Sequence, residues 1–411
     1  MALRHRRRYI LHDTRYFHML DFVSRVTSYM TKLFVNFIST RGRFVYMKFS
    51  INQSELQQAL SVVVKGSSTR STLSILAGVY IQANQDCVTL QTTNLELSIK
   101  MTIPALVEVP GETVAPAKLL LDIIKNLPDM AVSITSEDSD LMVFCNNTSY
   151  SLKTLNPQDF PTFPEISVEQ QASFPFTTFA SMVKSTAKIV SHDETRAILT
   201  GVLISQEGTT LKMVATDSYR LAVDEVALPQ EAANDFEAVV SGAFLQDIAG
   251  LPNSNEPITL ALNDNQIIIT YGSITYINRR IEGRFPNYKQ LIMDGYSTRA
   301  TLNTSEFIAA VRRVSLLSNK VSPVVIHIDT DANIVTLTTN SQEVGKAQET
   351  IMCAVEGESV EIAFNFQFLL DGLASIPTDE VNLDLFGSMK PGILRAQGDT
   401  QFLHLIMPVR V

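Results

Sequence analysis

Tryptophan is absent from the 411 residues, an absence that excludes nothing about function. The scarcity of cysteine excludes more. Cys87, Cys145 and Cys353 stand far apart with no CxxC pair, which argues against a disulfide framework or a cysteine zinc site. They read as three buried thiols in a reducing cytoplasm. No apolar run reaches the ~20 residues of a membrane-spanning helix, so a soluble protein is expected. Charged residues make up only 18%, too few for a disordered chain, and the 45% hydrophobic fraction can build proper cores. The length suits roughly two to four domains.

Catalytic signatures are missing as well. There is no GxxxxGK[ST] phosphate loop, no GxGxxG after a strand, no HExxH and no GxSxG. Three of the six histidines (His5, His12, His18) crowd near the start, and His192, His327 and His404 stand alone, as structural or surface histidines do. No residues group as nucleophile, base and oxyanion site. The expectation is a non-enzyme with no catalytic residue, no metal and no cofactor.

What is present begins with a charge asymmetry. Residues 1–46 hold nine Lys/Arg against Asp13 and Asp21, whereas residues 47–411 hold 24 basic and 40 acidic side chains, giving −9 in all. The first segment reads as an atypical basic leader outside the fold, the other reading being a targeting or nucleic-acid-binding arm. Met47-Lys48-Phe49-Ser50-Ile51 looks like the opening of a first strand. An acidic body is repelled by nucleic acid unless its positive charges gather on one face.

A threefold repeat then organises the chain. The stretch Val214-Ala-Thr-Asp-Ser-Tyr-Arg-Leu-Ala-Val223 is strand-like on both sides of a turn-forming cluster. Similar bends are expected at Thr92-Thr93-Asn94 and Thr338-Thr339-Asn340, and Thr93, Thr216 and Thr339 are spaced by 123 and 123 residues. Only the middle copy carries Tyr-Arg-Leu, which marks it as the candidate site. Each third opens with a helical pattern, at 54–65, 177–190 and 305–317, with Ser54, Thr177 or Thr178, and Thr304 or Ser305 as N-caps. Each has a second helix carrying Asp122, Asp247 or Asp371 and stopped by proline, and these three carboxylates are expected to make only local contacts. Alternating strands fill the rest. Basic residues recur on the exposed helix faces and following turns: Lys65, Arg70, Lys118, Lys125, Lys184, Lys188, Arg312, Arg313 and Lys320.

Several motifs in order carry a resemblance: Met47-Lys-Phe-Ser-Ile, Thr72-Leu-Ser-Ile-Leu76, Val114-Ala-Pro-Ala-Lys118, Ala215-Thr-Asp-Ser-Tyr-Arg-Leu221, Gly283-Arg-Phe-Pro-Asn-Tyr288, Ala363-Phe-Asn-Phe366 and Met407-Pro-Val-Arg-Val411. Over residues 47–411 the chain is similar to the bacterial sliding clamp family, the beta subunit of DNA polymerase III. The resemblance implies an α+β DNA clamp fold: three repeated domains (47–168, 169–295, 296–411), each with two helices packed on two antiparallel sheets. It implies a head-to-tail homodimer closing as a six-domain ring around duplex DNA, without sequence specificity. Partners implied are the polymerase III catalytic subunit, the clamp loader, other polymerases and mismatch-repair proteins, all docking short Gln/Leu/Phe peptides. The location implied is the cytoplasm, on the nucleoid at replication forks, with no membrane contact. Ser71 and Ser74 depart from the prolines of many relatives.

Carried over residue by residue, the peptide pocket comprises Leu199, Thr216, Ser218, Tyr219, Arg220, Leu221, Pro286, Gln290, Leu291, Met389, Pro391, Leu405 and Met407, rimmed by Pro408, Val409 and Arg410. Arg220 is expected to fix polar atoms of the peptide. The DNA-facing set is Lys65, Arg70, Lys118, Lys184, Lys188, Arg196, Arg312 and Arg313. The dimer seam is placed at Tyr150 and Leu152 against Leu316 and Leu317. Two other readings stand beside this one: a clamp-like paralogue that sequesters an inhibitor or single partner, and an enzyme of duplicated α+β domains.

Overall fold

Apolar residues three and four apart produce six short amphipathic helices among the described residues. They are α1 (Gln53–Val63), α2 (Ala117–Lys125), α3 (Phe176–Thr186), α4 (Gly242–Ala249), α5 (Thr304–Ser315) and α6 (Phe366–Leu373). The computed structural model describes residues 45–164, 170–229, 235–263, 265–318, 323–341, 343–398 and 401–410. The leader, except its last two residues, and Lys320 therefore lie outside the described residues. α1 packs beside α2, α3 beside α4, and α5 beside α6. Leu56, Leu60 and Val63 of α1 are buried, as are Phe179, Met182 and Val183 of α3 and Phe307, Val311 and Val314 of α5. No described helix is long and apolar enough to cross a membrane.

The helix starts differ from expectation. The capping positions are Asn52, Pro175 and Asn303, one to three residues before the expected ones, and only the Asn303 side chain caps, accepting from Glu306 N–H at 3.0 Å. A strand leads directly into each helix, so neighbouring strands and turns satisfy first-turn amides that a Ser or Thr cap would otherwise meet. Gln53 N–H donates to the Met130 carbonyl at 2.9 Å and Thr304 N–H to the Asp379 carbonyl at 2.8 Å.

The chain divides into two compact units, one up to Glu165 with Ser273–Ile277, the other Ile166–Gly272 with Asn278–Val411. In the first, an antiparallel sheet runs in the order Leu106–Val109, Val45–Asn52, Ala131–Glu137, Asp140–Cys145, Thr148–Lys153. Its opening strand begins at Val45 and not at Met47, so the fold takes in the last two residues assigned to the leader. In the second, a nine-stranded sheet crosses from the middle third of the chain to the last. The seam within it is Arg220–Ala227 against Phe402–Ile406, with Leu221 opposite Leu405 and Arg220 opposite Ile406. A four-stranded sheet follows the order Gly345–Met352, Ile334–Ser341, Val324–Asp329, Val360–Phe364.

Two further expectations are corrected. Only Cys145 is buried; Cys87, the first residue of a strand, and Cys353, between two strands, are half-buried. Burial still pushes the Cys353 thiol up to about 11. In the last third, Thr338, Thr339 and Asn340 lie inside a strand that runs to Ser341, since each pairs across the sheet with 346–348. The bend thus occurs in the first two copies at the expected place and not in the third.

Candidate functional site

The bend at 217–220 is built by short polar side chains that mimic a turn of backbone. Asp217 Oδ1 accepts from the N–H groups of Tyr219 (2.9 Å) and Arg220 (3.0 Å). Thr216 Oγ1 accepts from Ser218 N–H (3.1 Å) and donates to the Arg220 carbonyl (2.7 Å). Ser218 is held at φ 80°, a left-handed conformation that costs an L-residue roughly 1–2 kcal/mol. The first unit repeats the device: Asn94 Oδ1 accepts from Glu96 and Leu97, Thr93 Oγ1 from Leu95, and Leu95 has φ 77°. The bend leaves Tyr219 63% exposed at the edge of a rigid sheet.

Beside it lies an apolar floor. Leu221, Leu405, Leu203, Val214, Val223, Ile393 and Leu403 form one buried cluster, and Phe285 and Tyr288 from the connecting segment 281–292 pack onto it. Of the expected pocket residues, Leu199, Thr216, Leu221 and Leu405 are buried, and Leu221 and Leu405 belong to this cluster. Ser218, Tyr219, Pro286, Gln290, Leu291, Met389, Met407, Val409 and Arg410 are exposed; Pro391 and Pro408 are half-buried. The tail is pinned on both sides, Met407 N–H donating to the Tyr219 carbonyl (2.9 Å) and Val409 N–H to the Ala363 carbonyl (2.8 Å). A cavity of about 320 Å³ opens between Met389, Val409, Arg410 and the residues Val325, Ile362 and Ala363. None of those last three was expected at the pocket, although Ala363 opens one of the resemblance motifs, because only strand pairing brings them to the tail.

Arg220 is held on two sides within the fold. Its side chain is 10% exposed and committed: Nε donates to Asp217 Oδ2 (3.0 Å), Nη1 to Asp371 Oδ2 (2.6 Å), and the guanidinium lies 4.4 Å over the Phe368 ring. It is a strut between the bend and α6. Asp371, expected to bond locally, also receives Lys188 Nζ (2.6 Å) and Gln367 Nε2 (2.9 Å). Burial would raise its pKa, but Lys188, Arg220 and Gln367 outweigh that and hold the carboxyl below its ordinary value. The fully buried His404 lies alongside. Burial drives it down to about 3, so the ring is neutral. It packs so close to α6 that a Cβ at Gly372 would fall 2.4 Å from its Cδ2.

All eight expected DNA-facing residues are exposed. Lys188 is nevertheless paired with Asp371, Arg196 with Asp193 (3.1 Å), and Arg313 with Glu349 through both Nε and Nη2. At the expected seam, Tyr150 is 38% and Leu316 80% exposed, and Leu317 is half-buried. Leu152 is corrected: at 4% exposure opposite Leu141 it faces the first unit's own core, the inward position of an alternating strand. Among the described residues no cluster of His, Cys, Asp or Glu could hold a metal ion.

Three sequence models of one family match the chain in tandem over residues 47–410. The N-terminal, central and C-terminal domains of the DNA polymerase III beta subunit match residues 47–164, 173–287 and 289–410. The chain belongs to that family. Beta-subunit chains are sliding clamps, processivity subunits with no catalytic role of their own. The beta sliding clamp of Staphylococcus epidermidis is 32% identical over 375 residues, spanning 89% of this chain and 99% of the relative. The solved sliding clamp of Bacillus subtilis superposes with a TM-score of 0.85 at 28% identity, covering 89% of this chain and all of the other. That of Pseudomonas aeruginosa, solved with griselimycin bound, gives 0.84 at 26% with the same coverage. The three-domain beta-subunit fold is thus common to this clamp and to structures of quite different sequence.

Proposed function

We propose that this chain encircles duplex DNA as a head-to-tail homodimer and tethers the replicative polymerase to it. Other polymerases, the clamp loader and mismatch-repair proteins use the same cleft, presenting short Gln/Leu/Phe peptides to the 217–220 bend, the apolar floor and the tail. The observation that carries this reading is three beta-subunit domains matched in tandem over residues 47–410. The working domains we propose are 47–168, 169–295 and 296–411, the first extended back to Val45 by its opening strand. The protein acts in the cytoplasm, at replication forks.

The strand edges support ring closure. Thr148–Lys153 ends the first unit's five-stranded sheet, and Gly345–Met352 ends the second unit's four-stranded sheet. An open edge is a template for another strand, and joining the two kinds of edge between copies, twice, leaves neither exposed. Tyr150 lies on the first edge strand, and Leu316 directly follows α5, which packs on the second. Leu316→Asp is expected to give monomers at protein concentrations where the unaltered chain sediments as a dimer. A dimer of unchanged stability would remove Leu316 from the seam.

A ring held by topology needs no tight grip. Of the eight residues expected to face DNA, Lys188 and Arg196 turn to Asp371 and Ser218, and we assign the other six, Lys65, Arg70, Lys118, Lys184, Arg312 and Arg313, to a sparse positive wall on an acidic body. Each neutralised phosphate steepens the log–log salt dependence by about 0.9, so few contacts keep sliding easy. Replacing Arg70, Lys184 and Arg312 by Gln is expected to shorten retention on circular DNA and to flatten that slope by up to about 2.7. Processivity on primed circular DNA, with polymerase and loader added, tests the reading as a whole. Synthesis that stays distributive in the presence of the chain would overturn it.

A further inference from the structure

Two basic side chains expected to face DNA turn instead toward the bend. Arg196 Nη1 donates to Ser218 Oγ at 3.0 Å while its Nε is held by Asp193. Ser218 is the residue in the left-handed conformation, so this guanidinium braces the strained position itself. Lys188 reaches the bend through a relay of carboxylates: Lys188 to Asp371, Asp371 to Arg220, Arg220 to Asp217, whose other oxygen closes the turn. The first unit supplies an internal comparison. Its bend at 93–97 has the same Thr and Asx hydrogen bonds and the same positive φ, yet Leu97 stands where the second copy has Arg220. Local turn chemistry is therefore sufficient to make a bend. The ion pairs at 217–220 add something else: they tie a loop of the middle third to α6 of the last third, across the cleft where Tyr219 also holds Met407.

We infer that Lys188, Arg196 and Asp371 are positioning residues of the peptide site, which lock the two walls of the cleft in the shape that receives a partner peptide, and are not contacts to DNA. The inference rests on the peptide-pocket reading above and deepens it. Because the cleft is held open before the peptide arrives, less of the binding energy goes into ordering it. Loosening one strut lowers the fraction of molecules with a competent cleft, and the apparent affinity falls in proportion. A competent fraction cut to about one tenth weakens binding about tenfold.

The test uses the full chain with Lys188→Met, Arg196→Gln, Lys188→Arg and Asp371→Asn, and Met407→Ala as a reference for the pocket. Two quantities are read: anisotropy of a labelled synthetic peptide carrying Gln, Leu and Phe, and the salt dependence of retention on circular DNA. Lys188→Met and Arg196→Gln are expected to weaken peptide binding about threefold to tenfold, with Lys188→Arg close to the unaltered chain and the DNA salt slope unmoved. Both side chains are exposed, so their loss leaves folding intact even if Asp371→Asn melts early. Unchanged peptide affinity in both variants, or a salt slope lowered by about 0.9 per substitution, would overturn the inference. If Met407→Ala weakens the peptide and these variants do not, only the inference falls. If Met407→Ala has no effect either, the pocket reading falls with it.

Discussion

Removal of residues 407–411 is expected to weaken binding of a Gln/Leu/Phe peptide about a hundredfold, equivalent to about 2.7 kcal/mol. The last strand, Phe402–Ile406, ends just before the cut, so the nine-stranded sheet keeps its pairing with Arg220–Ala227 and Gly392–Ala396. What goes is one wall of the cleft. Met407 and Val409 are about a third exposed, each anchored by its own backbone bond, and Val409 and Arg410 line the 320 Å³ cavity. A Leu or Phe anchor gains about 1.5–3 kcal/mol from full burial, and losing half its contacts forfeits a good part of that for each of two anchors. Met407→Ala alone should cost about tenfold, since Met389 and Leu291 remain to adapt around the peptide. Calorimetric titration reads the affinity, and sedimentation should show the dimer intact. Full affinity in the truncated chain would move the peptide site elsewhere.

Asp384→Ala is expected to destabilise the second unit by about 3 kcal/mol, measured by urea unfolding. Asp384 is 1% exposed and sits between two arginines on adjacent strands. Arg299 grips both its oxygens, Nε at 2.6 Å and Nη2 at 2.8 Å, while stacking 4.0 Å over Tyr296; Arg395 Nε lies 3.7 Å away. Without the carboxylate, two like charges face each other on a half-buried surface. Burial, with Arg299 adding to it, already pushes the pKa of Arg395 below its usual value. The guanidiniums are about a quarter exposed, so solvent screening keeps the loss near the lower end of the ~3–5 kcal/mol seen for a broken buried pair. Asp384→Leu combined with Arg299→Met and Arg395→Met should recover most of it, because apolar replacement then removes both stranded charges. A loss under about 1 kcal/mol for Asp384→Ala would show that water reaches the pair freely.

Much of this was legible before any coordinates. The three first helices appear in the segments their periodicity marked, and the bend at 217–220 follows from Thr216 and Asp217, whose bonds reach no further than four residues. The cap residues were misplaced because a strand feeding a helix supplies partners from elsewhere in the fold. Tyr150 and Leu152 looked alike as neighbours on one strand, and only the sheet's packing sent Leu152 inward.

The sequence by itself determined the helices, the repeat, the turn chemistry and the family, since each is written in residues close together or in motifs in order. Tertiary structure alone decided which charges are free. In the sequence Lys188 and Arg196 read as cations facing DNA; the fold brings Asp371 to Lys188 and to Arg220, 151 residues from it in the chain, and Ser218 within reach of Arg196. Arg196 and Arg220 find Asp193 and Asp217 three residues away, but the pairs with Asp371 form because the fold places that carboxylate within a few ångströms, and nothing local to Lys188 or Arg220 encodes it.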